Sequence, residues 1–156
     1  MPTGLAILRP DGKNDKIVQQ ACNNYRRYLE TLRPETLPEL LKYVSADVHF
    51  QDPFNDVHGI DAMAEIFRHM FELVGPVRFT VYQAQAAGRV GLFSWRFEGQ
   101  LFGKPWVFNG TSVITFDEDG MVIVHIDHWD AAQNFYERLP LIGWLFAWLR
   151  RRLARQ

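Results

Sequence analysis

Cysteine is almost absent from this chain, with Cys22 the single one in 156 residues. An internal disulfide and a cysteine-rich metal site are therefore excluded, and a reducing compartment is a natural fit. Cys22 falls inside a helical pattern, where it reads as an inert helix residue rather than a reactive thiol. An excess of one charge is missing too. Lys and Arg number 17 against 18 Asp and Glu, for a net charge of −1, so the molecule as a whole is not built to hold a polyanion and no nucleic-acid partner is expected. Long apolar runs are lacking: the uncharged stretch 139–149 has eleven residues, too few to span a bilayer. The early stretch "GLAIL" has no basic leader and no small-residue cleavage site, so it does not read as a signal peptide and a cytoplasmic location is expected. There is no glycine-rich phosphate loop, nucleophile elbow or dinucleotide fingerprint, and no cofactor is expected. Internal repeats and low-complexity linkers are absent as well.

What the chain does have is aromatic bulk. Aromatic residues make up 14 % of it, within a hydrophobic content of 47 %, an excess that favours a cavity or an interface over a minimal core. The length suits one domain, 1–156, with a helical tail over 131–156.

From Asn14 or Asp15, Ile17, Ala21, Tyr25, Tyr28 and Leu32 recur at helical spacing and predict a first helix that ends before Pro34. Thr36 and Glu39 have capping-box spacing, and Leu37, Leu40, Leu41 and Val44 would form the apolar face of a short second helix. "VHFQDPF" then reads as a strand over Val48–Asp52 stopped by Pro53. "IDAMAEIFRHMFELVG" is a third helix, closed by Gly75 and Pro76. Beyond Pro76 the period falls to two. Val77, Phe79 and Val81 begin a run of four strands, continued by 90–102, 106–116 and 121–129 and joined by "AAGR", "FGKP" and "DEDG" turns. Helices first and a meander afterwards predict an α+β fold, with helices laid on one face of a curved antiparallel sheet.

This order, together with "DPF" at 52–54, "VHG" at 57–59, Tyr28 on the first helix and "HIDHWD" at 125–130 following "TFDEDG", resembles the cone-shaped nuclear transport factor 2-like superfamily. Ketosteroid isomerases, SnoaL-type polyketide cyclases and limonene epoxide hydrolases belong to that group. The resemblance implies a cone-shaped sheet with N-terminal helices over its concave face, a C-terminal helix and a homodimer. It puts Asp52 where the isomerases keep their base, Tyr28 where they keep an oxyanion donor and Asp127 where the epoxide hydrolases keep an acid. It also puts Ser112 where the isomerases have a protonated carboxylic acid, and leaves Arg96 as the only counterpart of the hydrolases' strand arginine and aspartate.

Strand alternation leads part of the way independently. Phe50 and Asp52 share a face, so Asp52 points toward an apolar interior that would raise its pKa by desolvation; alternatively, it only makes the turn at Pro53–Asn55. Ile123, His125, Asp127 and Trp129 share one face of the last strand. Burying an imidazole and a carboxylate together calls for pairing, either as an acid–base pair, as an Asp127–Arg96 bridge across the sheet, or as a structural salt bridge lining a polar cavity. Phe50, Phe54, Phe67, Arg96, Ser112 and Trp129 are the expected ligand contacts. His49, His58, His69 and His128 read as surface or turn residues and no metal site is expected, because His125 and His128 lie on opposite faces of their strand. The expected function is cofactor-free acid–base chemistry on a hydrophobic, oxygen-bearing small molecule, with Asp52, Tyr28, Asp127 and His125 as catalytic residues. The alternatives are a non-catalytic ligand-binding module and a dimerising or membrane-surface accessory domain. The apolar tail with its arginines, Arg150, Arg151, Arg152 and Arg155, reads more simply as a helix capping the cone or packing on a second subunit than as one lying on a membrane.

Overall fold

The computed structural model describes residues 14–140 and 142–154; "GLAIL" and Arg155 lie outside the described residues. Helix α1 spans Asn14–Glu30. Its buried stripe is Val18, Cys22, Tyr25 and Leu29, with Tyr28 alongside, while Ile17 is 39 % exposed. Tyr25, Tyr28 and Leu32 of the expected face are buried, whereas in its first half Val18 and Cys22 rather than Ile17 and Ala21 are buried. Burial pushes the Cys22 thiol up to about 11.

The expected second α-helix is a 3-10 segment, Pro34–Lys42, that starts two residues before Thr36. Pro38 within it has no N–H to donate, and a period of three suits Leu37 and Leu40, which are buried, while Leu41 turns to solvent. Thr36 sits in the first turn, where its Oγ1 accepts from the Arg33 amide at 3.0 Å. Val44 consequently opens strand β1, Val44–Gln51, instead of closing a helix. The chain turns through 52–55 into a short strand β2, Asp56–His58, to which sequence reading assigns no element. Helix α2, Ile60–Val74, ends at Gly75, whose φ of 67° suits a residue without a Cβ.

The meander follows as β3 (Arg78–Ala87), β4 (Val90–Leu101), β5 (Lys104–Phe116) and β6 (Val122–His128). The six strands form one sheet in the order β2-β1-β6-β5-β4-β3. All neighbours are antiparallel except β1 and β6, which run parallel with Phe50 opposite His125 and Gln51 opposite Ile126. Register shifts at Val81/Gln83 and Thr115/Phe116 bend the sheet. Helix α1, α2 and the 3-10 segment cover its concave side, over a core of Phe50, Phe93, Trp95, Phe97, Ile114 and Phe116. The fold is the expected α+β cone. The tail consists of a short α3 (Ala131–Asn134), a 3-10 turn (Tyr136–Arg138) and α4 (Gly143–Leu153).

Candidate active site

Helix α2 and the 129–136 segment close the bent sheet around a cavity of about 770 Å³, in the range that holds a drug-sized or polycyclic ligand. Aromatic side chains from six elements line it, among them Phe67 of α2, Trp95 and Phe97 of β4, and Phe108 of β5. Of the residues singled out from sequence, Phe50, Phe54, Phe67, Trp129, Asp52 and Asp127 line this cavity, and Tyr28, Arg96, Ser112 and His125 do not.

The polar wall is set by sheet register. Ser112 on β5 stands opposite Asp127 on β6, with Ile114 opposite His125. The Ser112 hydroxyl donates to Asp127 Oδ1 at 2.5 Å and accepts from the Trp95 indole N–H at 2.7 Å. His125 Nε2 meets the same Oδ1 at 2.8 Å, and its Nδ1 meets the Tyr25 hydroxyl at 2.8 Å. Tyr25 has no other hydrogen-bond partner among the described residues and is buried, so its O–H donates to Nδ1. Neutral His125 therefore carries its proton on Nε2 and donates it to the carboxylate. Burial, followed by the nearby Asp127 charge, holds the Tyr25 phenol well above its ordinary range. Ser112 and His125 are each only 2 % exposed, so both act from behind Asp127. Every buried side-chain N or O among the described residues has a partner; Asp127 Oδ2, which has none, is therefore accessible. One oxygen of Asp127 is fixed by two donors and the other is accessible, on a residue that lines the cavity.

Asp52 sits just beyond the end of β1, one residue after Gln51, which pairs with Ile126 in the parallel β1–β6 ladder, and it lines the same cavity as Asp127. Its Oδ1 accepts from the amides of Phe54 and Asn55, both at 2.7 Å. The Asn55 side-chain amide donates to Oδ1 at 3.0 Å and to Oδ2 at 3.1 Å. Asp52 is thus both a turn-maker and a cavity residue, and its carboxylate is occupied by its own turn.

Three expectations are corrected by geometry. The Tyr28 hydroxyl donates to the carbonyls of Thr36 and Leu37 at 3.3 and 3.4 Å and does not reach the cavity; Tyr25, one turn earlier on the same helical stripe, faces His125 instead. Burial and then the Glu39 charge raise the Tyr28 phenol above its ordinary range. Arg96 lies on the outer face of β4, because Trp95 and Phe97 on either side of it are buried, and its ion pair is with Glu98 at 3.7 Å. Ser112 gives its proton to Asp127 rather than to the cavity.

Sequence reading did not single out Tyr25, Trp95 or Tyr136 as site residues. Alternation on β4 places Trp95 inward, but only the register, with Gly110 opposite it, shows why its ring lies flat: a Cβ at Gly110 would stand 2.3 Å from Trp95 Cη2. Tyr136, in the tail, is the one tyrosine among the described cavity-lining residues. Among the described residues one cluster has metal-ligand chemistry, His49, Asp56 and His58, whose ligand atoms all lie within 4.8 Å of one another. As it stands, the cluster is a His49–Asp56 pair at 2.7 Å stacked on the His58 ring at 4.4 Å.

The family model for the SnoaL-like domain matches residues 25–125. The chain belongs to the SnoaL-like domain family. That match includes Asp52, Ser112 and His125 and ends two residues before Asp127. Among curated proteins none matches the sequence. Solved structures match this SnoaL-like domain in fold, at low identity. An epoxide hydrolase from M. tuberculosis, described as LEH-like, is 18 % identical over 87 % of this chain and 97 % of its own, with a TM-score of 0.65. A candidate SnoaL-like polyketide cyclase from Jannaschia sp. CCS1 is 12 % identical over 87 % of this chain and 98 % of its own, at a TM-score of 0.69. A protein with a ketosteroid isomerase-like fold from Catenulispora acidiphila is 13 % identical over 74 % and 88 %, at 0.63. No helix among the described residues is long and apolar enough to cross a membrane.

Proposed function

We propose that this SnoaL-like domain is a small-molecule enzyme that performs cofactor-free acid–base chemistry on an apolar, oxygen-bearing substrate of steroid, polyketide or terpenoid type, with Asp127 as the proton carrier. The observation that carries this reading is the asymmetric tethering of Asp127: Oδ1 is held by Ser112 and His125, while Oδ2 is accessible beside an aromatic cavity. A carboxylate held in this way keeps its orientation between turnovers, and the imidazole behind it, itself anchored by Tyr25, donates to it from Nε2. In an isomerisation, Oδ2 takes a proton from the carbon beside a substrate carbonyl. The electron pair moves into the carbonyl oxygen as an enolate, and the same proton returns to a conjugated carbon as the carbonyl re-forms. Tyr136 is the phenol available in the cavity wall to donate to that oxygen. Asp52, engaged by its own turn, is a rim acceptor for a substrate hydroxyl.

One observation favours the binding-module reading as second. Ser112 directs its hydroxyl at Asp127, so the position of the isomerases' second donor offers no proton to a ligand. A panel of apolar ketones, epoxides and lactones separates the two readings, with binding followed by quenching of tryptophan fluorescence and conversion followed by chromatography. Saturable conversion of a bound member is the expected result. Binding without conversion of any member would establish the ligand-binding module instead.

A further inference from the structure

The C-terminal helix α4 has two faces of different use. Gly143, Phe146, Ala147 and Arg150, at i, i+3, i+4 and i+7, turn toward the body of the protein. Phe146 stacks on Tyr136 with ring centroids 5.4 Å apart, Arg150 pairs with Glu137 at 2.5 Å, and Gly143 packs so closely that a Cβ there would lie 2.2 Å from the Glu137 carbonyl oxygen. None of the described α4 residues lines the cavity directly; the helix packs on Tyr136, which does.

The opposite face carries Trp144, Leu145, Trp148 and Leu149, at i, i+1, i+4 and i+5, exposed to 68, 46, 50 and 46 % respectively. Arg152 continues that face one turn on and Arg151 flanks it. Of the three helix arginines, Arg150 alone has an ion pair among the described residues. A surface helix normally turns its polar residues outward; here the apolar stripe is outward, and it ends in cationic charge.

This pattern fits a lipid surface. Tryptophan favours the headgroup level, leucine the acyl boundary, and arginine the phosphates of anionic lipids. A second copy seated on the same face would cover Arg151 and Arg152 with a helix that has no carboxylate to receive them, since residues 143–153 contain no Asp or Glu. Anionic headgroups supply that charge. At about 1.5 Å per residue the helix is far too short to cross a bilayer, so it lies in the interface plane. We propose that the outer face of α4 docks the protein peripherally on an anionic phospholipid surface. The proposal is independent of the chemistry assigned to Asp127.

The test is sedimentation of the full chain with vesicles of phosphatidylcholine plus phosphatidylglycerol, and with vesicles of phosphatidylcholine alone. Binding is expected to the anionic vesicles, weakening as salt is raised. Two further variants, Arg151→Glu with Arg152→Glu, and separately Trp148→Glu, should each weaken it at least about tenfold, with unchanged far-UV circular dichroism because these positions are exposed. The proposal is overturned if the wild type stays in the supernatant with anionic vesicles, or if both variants bind as well as the wild type. It is equally overturned if Trp148→Glu turns a dimer into a monomer without altering vesicle binding, since the face would then be a subunit contact.

Discussion

Replacing Ser112 by alanine removes one hydroxyl and breaks two contacts of opposite kind. Asp127 Oδ1 loses a donor at 2.5 Å, and the Trp95 indole N–H loses its acceptor at 2.7 Å. The first is a hydrogen bond to a charged group, worth roughly 1.5–3 kcal/mol; the second leaves a buried donor unsatisfied, which costs about 1–3 kcal/mol. Because Ser112 is 2 % exposed, bulk water does not reach in to repair either. Taking the lower half of each range, we expect a destabilisation of about 3 kcal/mol, and a drop in Tm of about 6–12 °C at this chain length. Urea unfolding gives the free energy, and differential scanning fluorimetry gives Tm. Trp95→Phe tests the partition: on that background no indole N–H is left to orphan, so Ser112→Ala should be milder there by about 1 kcal/mol or more, a coupling that the double-mutant cycle isolates from the packing change at Trp95 itself. A loss below about 0.5 kcal/mol for Ser112→Ala, the level of an ordinary surface change, would show that the Trp95–Ser112–Asp127 relay is not formed in the folded protein.

Other consequences follow from the same geometry. Gly110→Ala places a methyl group 2.3 Å from Trp95 Cη2, so the ring must shift off Ser112; we expect a destabilisation of about 1–3 kcal/mol with altered tryptophan emission, and an unchanged spectrum would mean that Trp95 is not seated there. Asp52→Ala removes the acceptor of the 52–55 turn, and hydrogen exchange at the Phe54 and Asn55 amides should accelerate; unaltered protection would show that the turn holds without the carboxylate. Alkaline pH should weaken the fold through Cys22, Tyr25 and Tyr28, whose folded pKa values are all raised by burial. Each stays protonated in the fold after ionising in the unfolded chain, so stability is present in full below the thiol's ordinary 9.0 and falls as pH climbs toward its folded value of about 11. Each group contributes a slope of up to about 1.4 kcal/mol per pH unit. Urea midpoints between about pH 8 and 10.5 measure this, Cys22→Ala should flatten the curve, and a curve identical to the wild type's would refute the assignment for the thiol.

Much of the fold was legible because it rests on short-range signals. Period-two alternation, the "DEDG" turn and the Gly75–Pro76 stop located the meander and α2 within a residue or two. The parallel β1–β6 pairing was not legible, since it joins segments about 75 residues apart and leaves no mark on local pattern. The site divided along the same line. His125 and Asp127 could be paired from sequence because they stand two apart on one strand face, and Asp52 could be brought to the cavity by its alternation with Phe50. Choosing between Tyr25 and Tyr28 was beyond periodicity, because both lie on the same helical stripe and only the packing of α1 against the 3-10 segment decides which hydroxyl meets His125. Arg96 shows a different failure: the resemblance put it near the hydrolases' arginine, whereas the buried Trp95 and Phe97 beside it already require that it face outward.

The roles of the Asp52 and Asp127 carboxylates are the centre of this account, and one comparison tests them. On a substrate converted by the wild type, kcat/KM is measured for Asp127→Asn and Asp52→Asn side by side. The geometry predicts a loss of about a thousandfold for Asp127→Asn, within the usual reach of a lost general base, and a loss within about tenfold for Asp52→Asn, whose carboxylate is held by its turn. Wild-type turnover by Asp127→Asn, or a larger loss at Asp52 than at Asp127, would contradict the account.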